Sequence, residues 1–230
     1  MILAVDQSFG GSLSYLFDGA NWSGGSGFLV RLAQHFGYSV ETLLIAAAIG
    51  LPLGLYTGHT GRGAALISML GNASRALPTL GLLVIFAFLF GVGLKAAVIP
   101  LVFLALPSIL VNTYVGIQGV DRSLVDSARG MGLRPNQVLW TVEVPVALPL
   151  VVLGLRTAAL QVVSTATIAA FVGLGGLGRY IIDGQATRDY AQLGAGAIMV
   201  AAFAIVTEAA FLIAQRLVVS PGVRARARIA

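Results

Sequence analysis

The sequence predicts an all-α, polytopic membrane protein with five transmembrane helices, its N-terminus outside the cell and its C-terminus inside. Three observations predict it. Of 230 residues, 57% are hydrophobic and only 10% are charged, where a soluble domain carries about 25% charged residues. Five stretches reach the roughly 20 mostly apolar residues that cross a bilayer: Tyr38–Thr57, Ala64–Phe90, Ala96–Ile117, Val146–Val172 and Ala191–Leu217. The basic residues then sort by side. With the N-terminus outside, Arg62, Arg122, Arg129, Arg134, Arg216, Arg224, Arg226 and Arg228 fall inside, against Arg31, Lys95, Arg179 and Arg188 outside. Arg75 and Arg156 lie within or at the edge of spans and do not enter the comparison. Basic connections face the cytoplasm, so the N-out, C-in arrangement is favoured.

Residues 1–36 are rich in Gly and Ser, with Gly10-Gly11-Ser12 and Ser23-Gly24-Gly25-Ser26-Gly27, and form an extracytoplasmic or interfacial segment holding a short helix. Met1–Asp6 offers neither a basic n-region nor a sustained apolar core, so no cleavable signal peptide is expected. The transmembrane domain covers 37–218, with a polar cytoplasmic loop at 121–145, and 219–230 is a basic cytoplasmic tail near anionic lipid. In the first span Ala46, Gly50, Gly54 and Gly58 recur every four residues, a face that admits another helix at close range. Pro52 lies in the same helix, where it predicts a kink.

Several functions are excluded or unsupported. The net charge of +5 on so apolar a chain reads as membrane topology and not as nucleic-acid binding. Without cysteine there is no disulfide framework and no thiolate nucleophile. His35 and His59 are far apart and lack metal-ligand spacing, so each is expected to be an ordinary interfacial or loop residue, and no metal site or catalytic constellation is predicted. Gly173-Leu-Gly-Gly-Leu-Gly178 fits Gly-x-Gly-x-x-Gly, but it closes a membrane helix and follows no strand. It reads as a hinge or tight turn. Gly24-Gly-Ser-Gly27 resembles a serine-protease pattern but lies outside the spans, with no histidine in a later helix to act as base.

The longest polar, patterned stretch is Asp121 to Pro145. Ser123–Met131 predicts a short helix with Leu124, Ala128 and Met131 on one face. Gly132 caps it, and Pro135 opens a second short helix whose Val138, Leu139 and Val142 face one way. Pro145 marks the start of the next span. Such a protrusion either fills a groove on a partner, with Asp126, Arg129 and Arg134 at the rim, or rests on the membrane surface as an amphipathic loop.

The loop resembles the EAA motif of ATP-binding-cassette (ABC) import permeases: Glu-Ala-Ala, three residues, Gly, nine residues, Ile-x-Leu-Pro. Asp126-Ser127-Ala128, Gly132 and Val142-Glu143-Val144-Pro145 occupy those positions at that spacing. Asp for Glu and Ser for the first Ala are departures from the motif. Ser127-Ala-Arg129-Gly130-Met-Gly132, Asn136-Gln-Val-Leu139, Val144-Pro-Val-Ala-Leu-Pro149, Gly154-Leu-Arg-Thr157 and Ala170-Phe-Val-Gly-Leu-Gly-Gly-Leu-Gly178 resemble permeases of the glycine betaine, carnitine and choline uptake systems. Gly58-His-Thr-Gly-Arg-Gly63 and the Gly/Ser-rich N-terminus resemble actinobacterial members. The resemblance implies a type I importer permease with a five-helix core in the bacterial inner (plasma) membrane. It further implies a second permease subunit, identical or paralogous, a cytoplasmic ABC ATPase that binds ATP and Mg, and an extracytoplasmic solute-binding protein. The coupling loop so implied comprises Asp126, Ser127, Ala128, Arg129, Gly130, Gly132, Pro135, Val138, Val142 and Pro145.

The residues themselves add three expectations. The only lysine, Lys95, stands between Leu94 and Ala96, so this chain holds no P-loop and no cofactor of its own. Arg156 and Glu208 lie roughly 14 Å into their spans at 1.5 Å per residue, where an unpaired charge costs several kcal/mol. Either they form an interhelical ion pair, or Arg156 snorkels and Glu208 is protonated or faces water. Thr157, Gln161, Ser164 and Thr165 make a polar stripe on the fourth span, lining a translocation path or bonding across a helix interface. An ABC permease for amino acids or related solutes is the alternative within the class. An ion-gradient-driven secondary transporter is the alternative outside it, disfavoured because Glu208 is the lone clear intramembrane acid and no internal repeat is evident.

Overall fold

The computed structural model describes residues 2–65, 67, 69–71 and 77–219. Among these residues it is all-helical. Helix α1 spans Ile2–Phe17 and α2 spans Phe28–Thr60. Helix α3 covers Thr79–Phe90, α4 Leu94–Gln118 and α5 Arg122–Gly130. Helix α6 runs Pro135–Ala166, α7 Gly178–Thr187 and α8 Tyr190–Val218. Arg75 and the tail arginines Arg224, Arg226 and Arg228 lie outside the described residues.

Among the described residues, four helices, α2, α4, α6 and α8, are long and apolar enough to cross a membrane. The expected continuous span Ala64–Phe90 is not observed. Leu77 and Pro78 are non-helical, Pro78 sits at the N-cap of α3, and a proline there supplies no N–H to a continuing ladder. The 12 residues of α3 extend about 18 Å at 1.5 Å per residue, less than the roughly 30 Å of a hydrocarbon core.

The first long helix also begins at Phe28 and not at Tyr38. The Gly- and Ser-rich composition of residues 1–36 predicts a boundary near Tyr38, yet Gln34 and His35, which precede it, lie in the helix and find partners. The Gln34 side chain accepts from Gly176 N at 3.0 Å, and His35 Nε2 lies 3.0 Å from the Val163 carbonyl. His35, expected at an interface or in a loop, is therefore a buried mid-helix residue, 1% exposed, with Phe203 edge-on to its ring. The fourth span also differs from expectation: α6 stops at Ala166 and Ile168–Val172 forms a separate tight helical turn. Gly173 and Gly176, with φ of +80° and +86°, then make the tight turn expected of the glycine run.

The chain forms two compact units, each drawn from three stretches: Met1–Thr42, Leu77–Val102 and Leu160–Thr207, and Leu43–Ala76, Phe103–Ala159 and Glu208–Ala230. In the first, Leu83, Ala97, Ala169, Val172 and Leu174 make one apolar cluster, and Phe28, Leu177, Tyr180 and Ala195 another. The second is organised by small residues. A Cβ on Gly50, Gly54 or Gly58 would lie 3.1, 2.7 or 2.7 Å from the Cβ of Ile109, Thr113 or Ile117. Two rows of period four thus interlock, and the glycine face of α2 is filled by α4. Gly154 of α6 meets α4 in the same way, its Cβ position 2.8 Å from Asn112 Cβ. In the first unit Phe88, Leu89, Ile205 and Val206, and in the second Ile213 and Leu217, are exposed apolar side chains suited to lipid.

Candidate functional site

The loop between α4 and α6 is built almost entirely by local hydrogen bonding. Asp121 caps α5, its Oδ1 accepting from Ser123 N at 3.0 Å and Ser123 Oγ at 2.9 Å. The other end closes by paired reverse bonds: Gly132 N donates to Arg129 O at 2.9 Å and Leu133 N to Ala128 O at 3.2 Å. This 5→2 and 6→1 pairing needs a left-handed residue between helix and exit, and Gly132 supplies it with φ +86°. Pro135 occupies the first turn of α6, and Gln137 Oε1 accepts from Arg134 N at 2.8 Å. Val120, Val125, Ala128 and Val138 form the buried centre of the turn, with Leu133, Val142 and Val146 packed against it.

Two expectations about this loop are corrected. The inward face of α5 is Val125 and Ala128, whereas Leu124 and Met131 are exposed at 37% and 75%. The helix ends at Gly130, so Met131 leaves the face that helical spacing assigned it, and Val125 opposes Val138 instead. The second short helix is also not separate. It continues through a widened turn, Leu139–Glu143, into Val144–Ala166, so Pro145 lies one residue inside the helix that follows that turn. Asp126, Ser127, Arg129, Gly130 and Arg134 remain exposed, and with Leu124, Met131 and Trp140 (56% exposed) they present a mixed apolar and charged outer surface.

The widened turn carries a contact the sequence did not reveal. Glu143, 5% exposed, receives His59 Nδ1 at Oε2, 2.6 Å away. Beside it Gln118 Nε2 donates to Gly58 O at 2.5 Å. A cavity of about 280 Å³ opens here, lined by His59, Gln118, Arg122, Arg129 and Glu143 among others. His59 is thus bound to the loop and is no isolated residue. A signal existed in Glu143, an acid set between Val142 and Val144 in an otherwise apolar run; its partner is 84 positions away and cannot be found by spacing.

Arg156 and Glu208 are brought together. Arg156 Nε donates to Glu208 Oε2 at 2.7 Å and Nη2 to Oε1, a two-point contact between half-buried side chains. The polar stripe lies on the less buried side of α6: Thr157 and Ser164 are exposed, Gln161 and Thr165 half-buried, while Ala158, Val162, Val163 and Ala166 point inward. The Thr157 and Thr165 hydroxyls donate to Leu153 O and Gln161 O at 2.8 and 2.7 Å.

Residues 50–223 match the family of binding-protein-dependent transport system inner membrane components. The chain belongs to that family. Its relatives include the choline transport system permease protein OpuBB of Bacillus subtilis (strain 168), 33% identical over 87% of this chain and 92% of the relative. They also include the carnitine transport permease protein OpuCD of Listeria monocytogenes serotype 1/2a (strain 10403S), 36% identical over 80% of this chain and 83% of the relative. The glycine betaine/proline betaine transport system permease protein ProW of Escherichia coli (strain K12) is 31% identical over 74% of this chain and 48% of its own length. Among solved structures, the inward-facing MetNI methionine ABC transporter superposes with a TM-score of 0.74 at 23% identity, covering 84% of this chain and 97% of that one. The permease therefore has the type I ABC importer fold. It is a membrane transport subunit and not an enzyme, and its family implies an ATPase and a substrate-binding protein as partners.

Proposed function

We propose that this permease imports quaternary-ammonium compatible solutes of the glycine betaine, carnitine and choline type. ATP hydrolysed on a separate cytoplasmic subunit drives it, and an extracytoplasmic binding protein delivers the solute. The observation that carries the reading is identity of 31% to 36% along most of the chain to permeases named for those solutes. In this reading the N-terminus is outside, the four long helices form the membrane core together with the shorter α3, and a second permease subunit completes the pathway.

Residues 121–145 dock on the ATPase. Reverse hydrogen bonds, an Asp cap and a valine cluster make α5 and the start of α6 one stiff body. Stiffness is what transmission of a domain closure requires. The outward residues Asp126, Arg129, Arg134, Leu124 and Met131 supply the contact. Thr157, Gln161, Ser164 and Thr165 border the pathway. Hydroxyls already committed to backbone carbonyls leave a weakly polar wall, over which a permanent cation passes without being trapped.

Uptake of labelled glycine betaine, carnitine and choline is to be measured in a strain lacking other carriers, with and without this chain. Uptake that depends on the chain and on ATP is the expected result. Unchanged uptake of all three, with chain-dependent uptake of an amino acid, replaces the solute assignment.

A further inference from the structure

The cavity of about 280 Å³ beside the His59–Glu143 contact, within the second unit, has Thr60, Gln118, Arg122 and Arg129 on its lining. Arg122, Val125 and Arg129 stand three and four residues apart on α5, which puts them on one face of that helix, and all three line the space. Among the described residues the ion pairs are His59–Glu143, Arg156–Glu208 and Arg179–Asp183, so neither guanidinium is in one. Asp121 and Asp126 are their neighbours in sequence but are not on the lining, and Asp121 Oδ1 accepts from Ser123 N and Oγ. Glu143 is on the lining, with its Oε2 already bonded to His59 Nδ1 at 2.6 Å. Two guanidiniums against that one engaged carboxyl leave the lining positive, and each presents a planar fork of donors that fits phosphate oxygens.

An exposed apolar row leads into this space. Ile45, Ile49, Leu53, Tyr56 and Thr60 are all exposed on α2 at spacings of four, four, three and four. Such spacings fall on one helix face, and Thr60 lines the cavity. From Ile45 to Tyr56 the row is about 16 Å long at 1.5 Å per residue, against about 15 Å for half of a hydrocarbon core. It changes from aliphatic to aromatic at Tyr56, and Trp140 is exposed one turn before Glu143. Tyr and Trp gather at the headgroup level of a bilayer. A row with the length of an acyl chain therefore ends first in an aromatic ring and then in guanidiniums outside any ion pair. Tail, interface and headgroup follow one another in that order within one leaflet.

We propose that this cavity binds the headgroup phosphate of an anionic phospholipid, with Arg122 and Arg129 on the phosphate and the Ile45–Leu53 row along an acyl chain. A zwitterionic lipid brings an ammonium of its own to the same guanidiniums and is disfavoured. The bound headgroup joins the end of α2 to α5. Arg129 also belongs to the outer surface of the loop, so Arg122 is the residue that isolates the lipid site. The inference goes beyond the transport reading and needs no particular solute.

The test is native mass spectrometry of the detergent-purified transporter with its ATPase, titrated with dioleoyl phosphatidylglycerol or dioleoyl phosphatidylcholine. Phosphatidylglycerol is expected at one site per permease chain, about tenfold or more tighter than phosphatidylcholine. R122A should weaken phosphatidylglycerol about tenfold, as expected for one hydrogen bond to a charged group, and leave phosphatidylcholine within about twofold. R122K, which keeps the charge and loses the fork, falls between. L53Q interrupts the apolar row and should weaken both lipids. Equal binding of the two lipids, or R122A equal to wild type, overturns the site. Displacement of phosphatidylglycerol by millimolar inorganic phosphate, with L53Q at wild-type affinity, makes the ligand a free anion and overturns the lipid assignment. L53Q that splits a permease pair and leaves lipid binding unchanged gives the row to a second copy, which overturns it as well. Uptake plays no part in these readouts, so each failure leaves the transport reading standing.

Discussion

The contact between His59 and Glu143 gives the sharpest prediction, because one end of it lies on α2 and the other in the widened turn of α6. The side chains are 15% and 6% exposed, and the atoms are 2.6 Å apart. Replacing His59 by Ala leaves the buried Glu143 carboxyl without its hydrogen-bond partner. Leaving a buried polar group unsatisfied costs about 1–3 kcal/mol, so H59A should lower the unfolding free energy by about 2 kcal/mol. The His59→Leu/Glu143→Leu double variant removes both partners and is expected to be much closer to wild type, since two apolar groups leave nothing unsatisfied. Unfolding of the detergent-solubilised permease, followed by helical circular dichroism across all four corners of the cycle, measures the coupling. Reconstituted with its ATPase, H59A should also hydrolyse more ATP per solute imported, because the loop is no longer tied to α2. Strictly additive effects, or H59A within about 0.3 kcal/mol of wild type, the scatter of independent sites, would refute the reasoning.

Three further outcomes are expected. Gly132→Pro forces φ near −65° where the chain has +86° and removes the N–H that donates to Arg129 O; uptake should collapse in the correctly inserted protein, and less ATPase should be retained on the membrane complex. Arg156→Glu and Glu208→Arg each leave two like charges facing one another, so each should abolish uptake, and the double swap should restore a measurable fraction; a double swap as inactive as the singles counts against a functional pair. Gly54→Val places branched carbons where a Cβ already falls 2.7 Å from Thr113 Cβ and 3.1 Å from Leu110 O. Overpacking of about 1–3 kcal/mol should appear as a lower melting temperature, and Gly37→Ala, where nothing lies within 4 Å, should not show it.

Composition and hydropathy made the all-helical membrane class readable, and the period-four glycines made one helix contact readable. They failed where polar residues are satisfied by distant backbone. Gln34 and His35 interrupt the apolar pattern of α2, yet Gly176 N and Val163 O complete them, so the helix starts at Phe28. A hydropathy window integrates over Pro78, whereas the hydrogen-bond ladder cannot. In the loop, the cap at Gly132 and the start at Pro135 were readable because both are local backbone constraints. The inward face was not, since helical spacing admits Leu124–Ala128 and Val125–Ala128 equally, and the choice is made by Val138 on another helix.

That same locality bears on how the loop works. Its hydrogen bonds are short-range: Asp121 to Ser123, Gly132 to Arg129, Leu133 to Ala128 and Arg134 to Gln137. A body closed on itself in this way keeps its shape when its surroundings move. What ties it beyond its own residues is a different kind of contact, the buried Glu143 with His59. A force applied to the outer surface at Arg129 or Met131 would leave the loop's internal geometry intact and reach α2 through that pair. Separating shape from attachment predicts that Gly132→Pro and H59A fail differently. The first loses the fold of the loop and should weaken retention of the ATPase on the membrane complex. The second keeps the ATPase bound and loses only the stoichiometry of transport. If both variants released the ATPase equally, the division of roles between the turn and the His59–Glu143 contact would be wrong.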